Sequence, residues 1–102
     1  MKIEDLEYAV HKAGLRPLKK INHKDSTIYV AETELEINDS YPFGYFQTAW
    51  FISKGNELEV GRALNFERNH DPEKGWTENQ KRDKRIEAAI LDAKTWINDG
   101  QI

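Results

Sequence analysis

The chain has 102 residues, of which 15 are Lys or Arg and 18 are Asp or Glu, so its formal net charge is −3. We expect one domain over residues 1–102, because this length has room for one core, and the small charge imbalance disfavours a strongly basic nucleic-acid binder or an acidic DNA mimic. The absence of Cys excludes disulfides, thiolate metal sites and cysteine nucleophiles.

The first predicted element is a helix over roughly residues 3–13. Its apolar residues recur at helical spacing and form one stripe, which consists of Ile3, Leu6, Val10 and Ala13. Gly14 suits the left-handed position after a helix, and Pro17 cannot continue one. The helix therefore ends before residue 17.

From Leu18 the period changes to that of strands. Residues 18–23 and 27–37 are predicted to form a hairpin, and the second run is apolar on both faces in its first half only. Residues 45–52 are rich in aromatic side chains, and a returning strand carries Leu58, Val60, Leu64 and Phe66 in alternation. The sequence thus predicts four strands.

A second helix is predicted to begin at Thr77. The run Thr77–Gln80 matches a capping box, in which the first and last residues bond to each other's backbone N–H. The apolar face of this helix comprises Ile86, Ala89, Ile90, Ala93 and Ile97. Gly100 is predicted to end it.

These elements predict an α+β fold in the order helix, four-stranded antiparallel meander, helix. The loops between the strands are too short for the crossover that parallel strands need. Each helix has one apolar stripe, so we expect both helices to pack on one face of the sheet.

The sequence offers no positive signal for catalysis. Its three histidines, His11, His23 and His70, lie in no known zinc motif, and neither a Gly-rich phosphate loop nor a nucleophile elbow is present. Glu7 and His11 are one helical turn apart, as a solvated pair would be, and Asp71 begins an ordinary turn. We expect no enzymatic activity, no cofactor and no metal.

Three glutamates alternate at the end of the second predicted strand, namely Glu32, Glu34 and Glu36, and Asp39 follows them. Period-two spacing predicts that the three side chains project from one side of the strand. Such a row could steer a basic protein partner toward the domain. The alternative is a solvated face that prevents edge-to-edge aggregation.

Six aromatic residues fall within eleven positions: Tyr41, Phe43, Tyr45, Phe46, Trp50 and Phe51. A strand alternates sides, so helices on one face can cover only part of this set. We predict that Tyr41, Phe43, Tyr45 and Phe51 form a protein interface, because exposed aromatic side chains commonly anchor interfaces. The alternative is a second small core beneath the loop at residues 41–44.

The start of the last helix carries a basic cluster, Lys81, Arg82, Lys84 and Arg85. The element order loosely resembles that of double-stranded RNA-binding domains, which implies phosphate contacts here. This chain has an additional strand and lacks the Gly-Pro-x-His loop of that family. The alternative function is therefore nucleic-acid binding through Lys81, Lys84 and Arg85, helped by Lys19 and Lys20.

The favoured hypothesis is a small cytoplasmic protein-binding module without membrane contact. Immunity proteins, antitoxins and phage- or plasmid-encoded inhibitors share this size and Cys-free composition. The acidic row and the aromatic residues would contact a partner protein with a basic surface. A homodimer through the same patch is a variant of this hypothesis.

Overall fold

The computed structural model describes residues 1–68 and 75–101. Helix α1 spans Ile3–Lys12 and helix α2 spans Glu78–Asn98. The four strands lie between the helices: β1 (Arg16–His23), β2 (Ser26–Glu32), β3 (Tyr45–Lys54) and β4 (Glu57–Glu67).

The strands form one antiparallel sheet in the order β1-β2-β3-β4, so each strand pairs with its neighbour in sequence. Two-residue turns join β1 to β2 and β3 to β4, with positive φ at Lys24 and Gly55. The predicted α+β fold, its element order and its antiparallel meander are confirmed.

Helix α2 covers one face of the sheet. Alternate residues of the two central strands point toward it, and all are fully buried: Ile28, Val30, Trp50 and Ile52. Ala89 and Ala93 of α2 pack directly on this layer. Their small side chains allow the helix to lie close to the sheet.

Helix α1 covers the opposite face, so the prediction that both helices share one face is wrong. Leu6 and Val10 of α1 pack against Tyr29 and Ala31, whose side chains alternate with those beneath α2. The physical reason lies in β2, where consecutive residues from Ile28 to Ala31 are apolar. A strand with two apolar faces requires cover on both sides.

The start of α2 is capped as the sequence predicts. The Thr77 hydroxyl accepts a hydrogen bond from the Gln80 N–H at 3.2 Å, and the Thr77 N–H donates to Gln80 Oε1 at 2.8 Å. Two backbone donors that the first helical turn leaves free are thereby satisfied.

Candidate functional site

The β2–β3 pair continues beyond the end of β2 into residues 33–44, which we call the hairpin tip. The Thr33 N–H donates to the Gln47 carbonyl at 3.0 Å, and Glu36 and Tyr45 exchange backbone hydrogen bonds of 2.9 and 2.8 Å. The ladder is interrupted between these contacts, so β2 ends at Glu32. The predicted strand over 27–37 is therefore wrong in its second half.

Local hydrogen bonds fix the backbone of the hairpin tip. The Asn38 side-chain oxygen accepts from the backbone N–H groups of Ser40 and Tyr41, at 2.9 and 3.0 Å. Gly44 has a φ of 100°, and a Cβ there would lie 2.7 Å from Leu35 Cδ1. Only glycine fits this position, because other residues would be strained and would clash.

Two tyrosines pack side by side on the tip. The ring centroids of Tyr41 and Tyr45 are 4.6 Å apart, with the planes tilted by 45°. The Tyr45 hydroxyl donates to Glu36 Oε2 at 2.5 Å. This hydrogen bond is the main cause of a raised pKa for the Tyr45 phenol, because only the protonated phenol can donate it.

The most exposed apolar side chains of the tip are Phe43 and Ile37, at 65% and 64% exposure. Phe43 therefore has no second small core around it, whereas Tyr41 and Tyr45 are half-buried. The exposure of Ile37 was not predicted, because a strand over residues 27–37 implies regular alternation up to its last residue. The signal for its exposure was the turn cluster that begins at Asn38.

Phe51 does not belong to the tip, contrary to the sequence prediction. It is half-buried in the α1 core, where its ring centroid lies 6.4 Å from that of Tyr29. A Cβ on Gly61 would lie 2.6 Å from the Phe51 ring, so the ring packs over that glycine. Phe51 lies six positions along the extended strand from Tyr45, a distance of about 20 Å.

The residues of the predicted acidic row do not share one environment. Glu34, Glu36 and Asp39 are exposed, but Glu32 is fully buried. Glu32 lies on the regular part of β2 and points toward α2, whereas Glu34 and Glu36 follow the interruption of the ladder. The expectation that Glu32 contacts a partner is therefore wrong.

Glu32 forms what we call the buried carboxylate cluster with Thr48, Arg85 and Arg16. Its Oε2 accepts from Arg85 Nε at 2.6 Å and from the Thr48 hydroxyl at 2.7 Å. Its Oε1 accepts from Nη2 of Arg85 at 2.9 Å and of Arg16 at 3.2 Å. This cluster joins α2, β1, β2 and β3, and the sequence analysis did not predict it.

The proposed phosphate-binding role of Arg85 is incompatible with its position. Its side chain is only 11% exposed, and its guanidinium lies 3.9 Å from the centroid of the Phe46 ring. A planar guanidinium can contact a carboxylate through its edge and an aromatic ring through its face. Arg85 is therefore a structural residue.

The other predicted basic residues lie beside carboxylates or on separate faces. Lys81 Nζ is 3.7 Å from Glu78, and Lys84 Nζ is 3.4 Å from Glu87. Lys19 and Lys20 pair with consecutive residues of β2 and so point to opposite faces of the sheet. Lys20 bonds Glu7 at 3.0 Å, whereas Lys19 lines a cleft that also contains Arg82, Asp83 and Glu87. This cleft therefore carries two cations, on Lys19 and Arg82, and two carboxylates, on Asp83 and Glu87.

Among residues 1–68 and 75–101, no group of three or more His, Asp or Glu side chains is arranged to hold a metal ion. Glu7, one possible partner of His11, instead bonds Lys20. His70 and Asp71 lie outside the described residues. Within the same described ranges, neither helix is long and apolar enough to cross a membrane.

Comparison of this chain with protein-family models, with curated proteins and with solved structures found no match. A functional hypothesis must therefore come from the side chains themselves. The hairpin tip differs from the other candidate residues because it combines exposed apolar side chains with a fixed backbone.

Proposed function

We propose that the chain is a non-enzymatic protein-binding module that docks through its hairpin tip on a basic surface of another protein. The observation that carries this proposal is the exposure of Phe43 and Ile37 on a segment with a defined backbone. Large exposed apolar side chains lose unfavourable contact with water when a partner covers them.

The ordered backbone supports binding because little further ordering is required. Asn38 and Pro42 restrict the loop through side-chain hydrogen bonds and a fixed φ, respectively, and the Gly44 N–H donates to the Tyr41 carbonyl at 2.9 Å. A preorganised loop loses less conformational entropy on association than a disordered one. Phe43 and the Tyr41–Tyr45 pair are suited to act as anchors at the centre of an interface.

Charge indicates the kind of partner. Residues 33–44 contain three carboxylates, on Glu34, Glu36 and Asp39, and contain no Lys or Arg. A basic protein surface would complement them and would be steered toward the tip. Proteins that handle nucleic acids have such surfaces, so an inhibitor-, immunity- or antitoxin-like role, encoded by a phage or another mobile element, is the form of the proposal that we favour.

The contacts of the basic residues do not favour the alternative of nucleic-acid binding. Arg85 is held by Glu32, and Lys81, Lys84 and Lys20 each lie within 4 Å of a carboxylate, at 3.7, 3.4 and 3.0 Å. These carboxylates reduce the positive potential that the surface presents to a phosphate. A segregated basic face would have supported this alternative.

The test compares capture of partners by immobilised wild type, Phe43→Ala and Tyr8→Ala from lysate of the native host, with and without nuclease treatment. Tyr8 is a matched control, because it is an aromatic residue on α1 with 66% exposure. We expect a basic protein that binds wild type and Tyr8→Ala but binds Phe43→Ala about tenfold more weakly, which corresponds to about 1.4 kcal/mol.

Two outcomes would contradict the proposal. The first is equal affinity of Phe43→Ala and wild type for the same purified partner. The second is capture that disappears on nuclease treatment, because nucleic acid would then be the molecule that the chain binds.

A further inference from the structure

A cleft lies between helix α2 and edge strand β1. Ala89 and Ala93 of α2 pack directly on the two central strands, so the helix covers β1 less closely. Leu18 and Ile21 of β1 are accordingly only partly buried. The cleft has a volume of about 480 Å³, and sites that hold small molecules commonly measure about 300–1,000 Å³.

An irregularity of β1 directs two consecutive side chains into the cleft. Leu18 and Lys19 both line it, although consecutive residues of a regular strand point to opposite faces. The register of β1 against β2 shifts between Pro17 and Lys19, and such a bulge changes the direction of a side chain. The strand therefore supplies an aliphatic group and a cation side by side.

The less exposed part of the cleft is aliphatic apart from one arginine. Ile86 is buried, whereas Leu18, Ile90 and Arg82 are half-buried. Residues 82, 86 and 90 are each about one turn apart on α2, so they form one row along the helix. This row places a guanidinium group beside an apolar surface.

Arg82 lacks a counter-ion in the described part of the chain. The next arginine of the helix, Arg85, donates to Glu32 at 2.6 and 2.9 Å. By contrast, the side chains of Arg82 and Lys19 form no ion pair and no hydrogen bond with residues 1–68 or 75–101. A charge that is partly removed from water is stabilised by a bound group of opposite charge. An anion is therefore the ligand that this pair of cations would accept.

We propose that this cleft binds a small aliphatic carboxylate. The carboxylate group accepts hydrogen bonds from the guanidinium of Arg82, whose planar fork matches it, and Lys19 adds a second positive charge. The aliphatic chain lies against Leu18, Ile86 and Ile90, where it is removed from water. The site shares no residue with the hairpin tip, so it is independent of the proposed docking function.

The remaining charges of the cleft select a ligand with one negative charge. Asp83 and Glu87 also line it, and both are exposed. They balance the charges of Lys19 and Arg82, so a second negative group on the ligand would be repelled. Polyanions such as nucleic acids and polyphosphates are therefore poor ligands for this site.

Nuclear magnetic resonance titration of the isotope-labelled protein with hexanoate tests the proposal. We expect saturable shifts of the backbone signals of residues 17–19 and 82–90, with a dissociation constant in the millimolar range that suits so small a ligand. Acetate lacks the aliphatic chain, 1-hexanol lacks the charge, and hexanedioate adds a second charge. Each should bind at least about tenfold more weakly than hexanoate.

A free acid and the C-terminus of a peptide with an apolar last residue both present this chemistry. N-Acetylleucine imitates the peptide C-terminus and is titrated in the same way. Tighter binding of N-acetylleucine than of hexanoate would support the site and assign it to a peptide C-terminus. The reverse order would support the site and assign it to a free acid.

Substitution of Arg82 tests which group holds the carboxylate. Arg82→Gln should weaken hexanoate binding by about tenfold or more, and Lys19→Gln should weaken it less. Arg68→Gln is the matched control, because Arg68 is an exposed arginine outside the cleft, and it should bind hexanoate as the wild type does.

Three results would overturn the proposal: no saturable shift of the wild type with hexanoate, equal binding of 1-hexanol and hexanoate, or unchanged affinity of folded Arg82→Gln. The first two depend on the wild type alone, so they decide the matter even where a variant fails to fold.

Discussion

Glu32 and Glu36 are two residues of one alternating acidic run, yet their side chains lie in opposite environments. Glu32 is fully buried and accepts hydrogen bonds from two arginines and a threonine. Glu36 is exposed and accepts from the hydroxyl of Tyr45. The first carboxylate holds helix α2 on the sheet, and the second helps to shape the hairpin tip.

The difference follows from where the regular strand ends. Up to Glu32, β2 is a central strand beneath α2, so a charge on that face must be paired there. After Glu32 the ladder is interrupted, and the side chains of Glu34 and Glu36 are exposed. The same residue type is therefore buried and stabilises the fold at one position, and is exposed four residues later.

The largest expected effect is the loss of stability when the buried carboxylate of Glu32 is removed. Glu32→Gln keeps the shape of the side chain but leaves the nearly buried Arg85 without its counter-ion. We expect the free energy of unfolding to fall by about 3–5 kcal/mol, as when one partner of a buried pair is removed. Urea denaturation measures the change.

The matched control for Glu32→Gln is Glu34→Gln, the same substitution at an exposed position two residues along the chain. It should change the free energy of unfolding by less than about 0.5 kcal/mol. Equal effects of the two substitutions would mean that Glu32 does not hold α2 on the sheet.

A smaller loss of stability is expected from a substitution at the start of α2, on the same side of the molecule. Thr77→Ala removes the oxygen that accepts from the Gln80 N–H. The loss of a helix cap typically costs about 0.5–2 kcal/mol, and urea denaturation would show it as a lower midpoint. Thr77→Ser retains the hydroxyl and should restore most of the stability. An unchanged midpoint for Thr77→Ala would show that the cap contributes nothing.

At the tip, the expected effect is on the pKa of the Tyr45 phenol. The hydrogen bond to Glu36 raises the pKa of the Tyr45 phenol, so this bond is present below the ordinary tyrosine pKa of about 10 and is lost as the pH rises through the raised value. The ultraviolet titration of wild type minus that of Tyr45→Phe isolates this phenol. Glu36→Ala should lower its pKa toward the ordinary value. An identical titration in Glu36→Ala would exclude the hydrogen bond as the cause.

The sequence predicts the elements of this fold well, because their signals are local. Helical stripes, strand alternation and the Thr77 capping box each depend on residues within a few positions of one another. The placement of α1 was predictable in principle, because residues 28–31 are apolar on both faces of β2. The prediction that both helices pack on one face did not take this pattern into account.

The candidate site was predictable only in part. Phe43, Tyr41 and Tyr45 were identified from their density and from the turn residues around them. The contact between Glu32 and Arg85 joins residues 53 positions apart, so neither neighbourhood reveals it. Ile37 was missed because an alternating pattern does not show where pairing stops.

The central claim is that Phe43 is an exposed side chain of the tip and belongs to no core, while the buried carboxylate cluster is structural. The most direct test is the free energy of unfolding of Phe43→Ala, measured by urea denaturation. An exposed Phe43 predicts a change of less than about 0.5 kcal/mol. A loss of about 3–5 kcal/mol, as in truncation of a buried phenylalanine, would show that Phe43 belongs to a core and would contradict the claim.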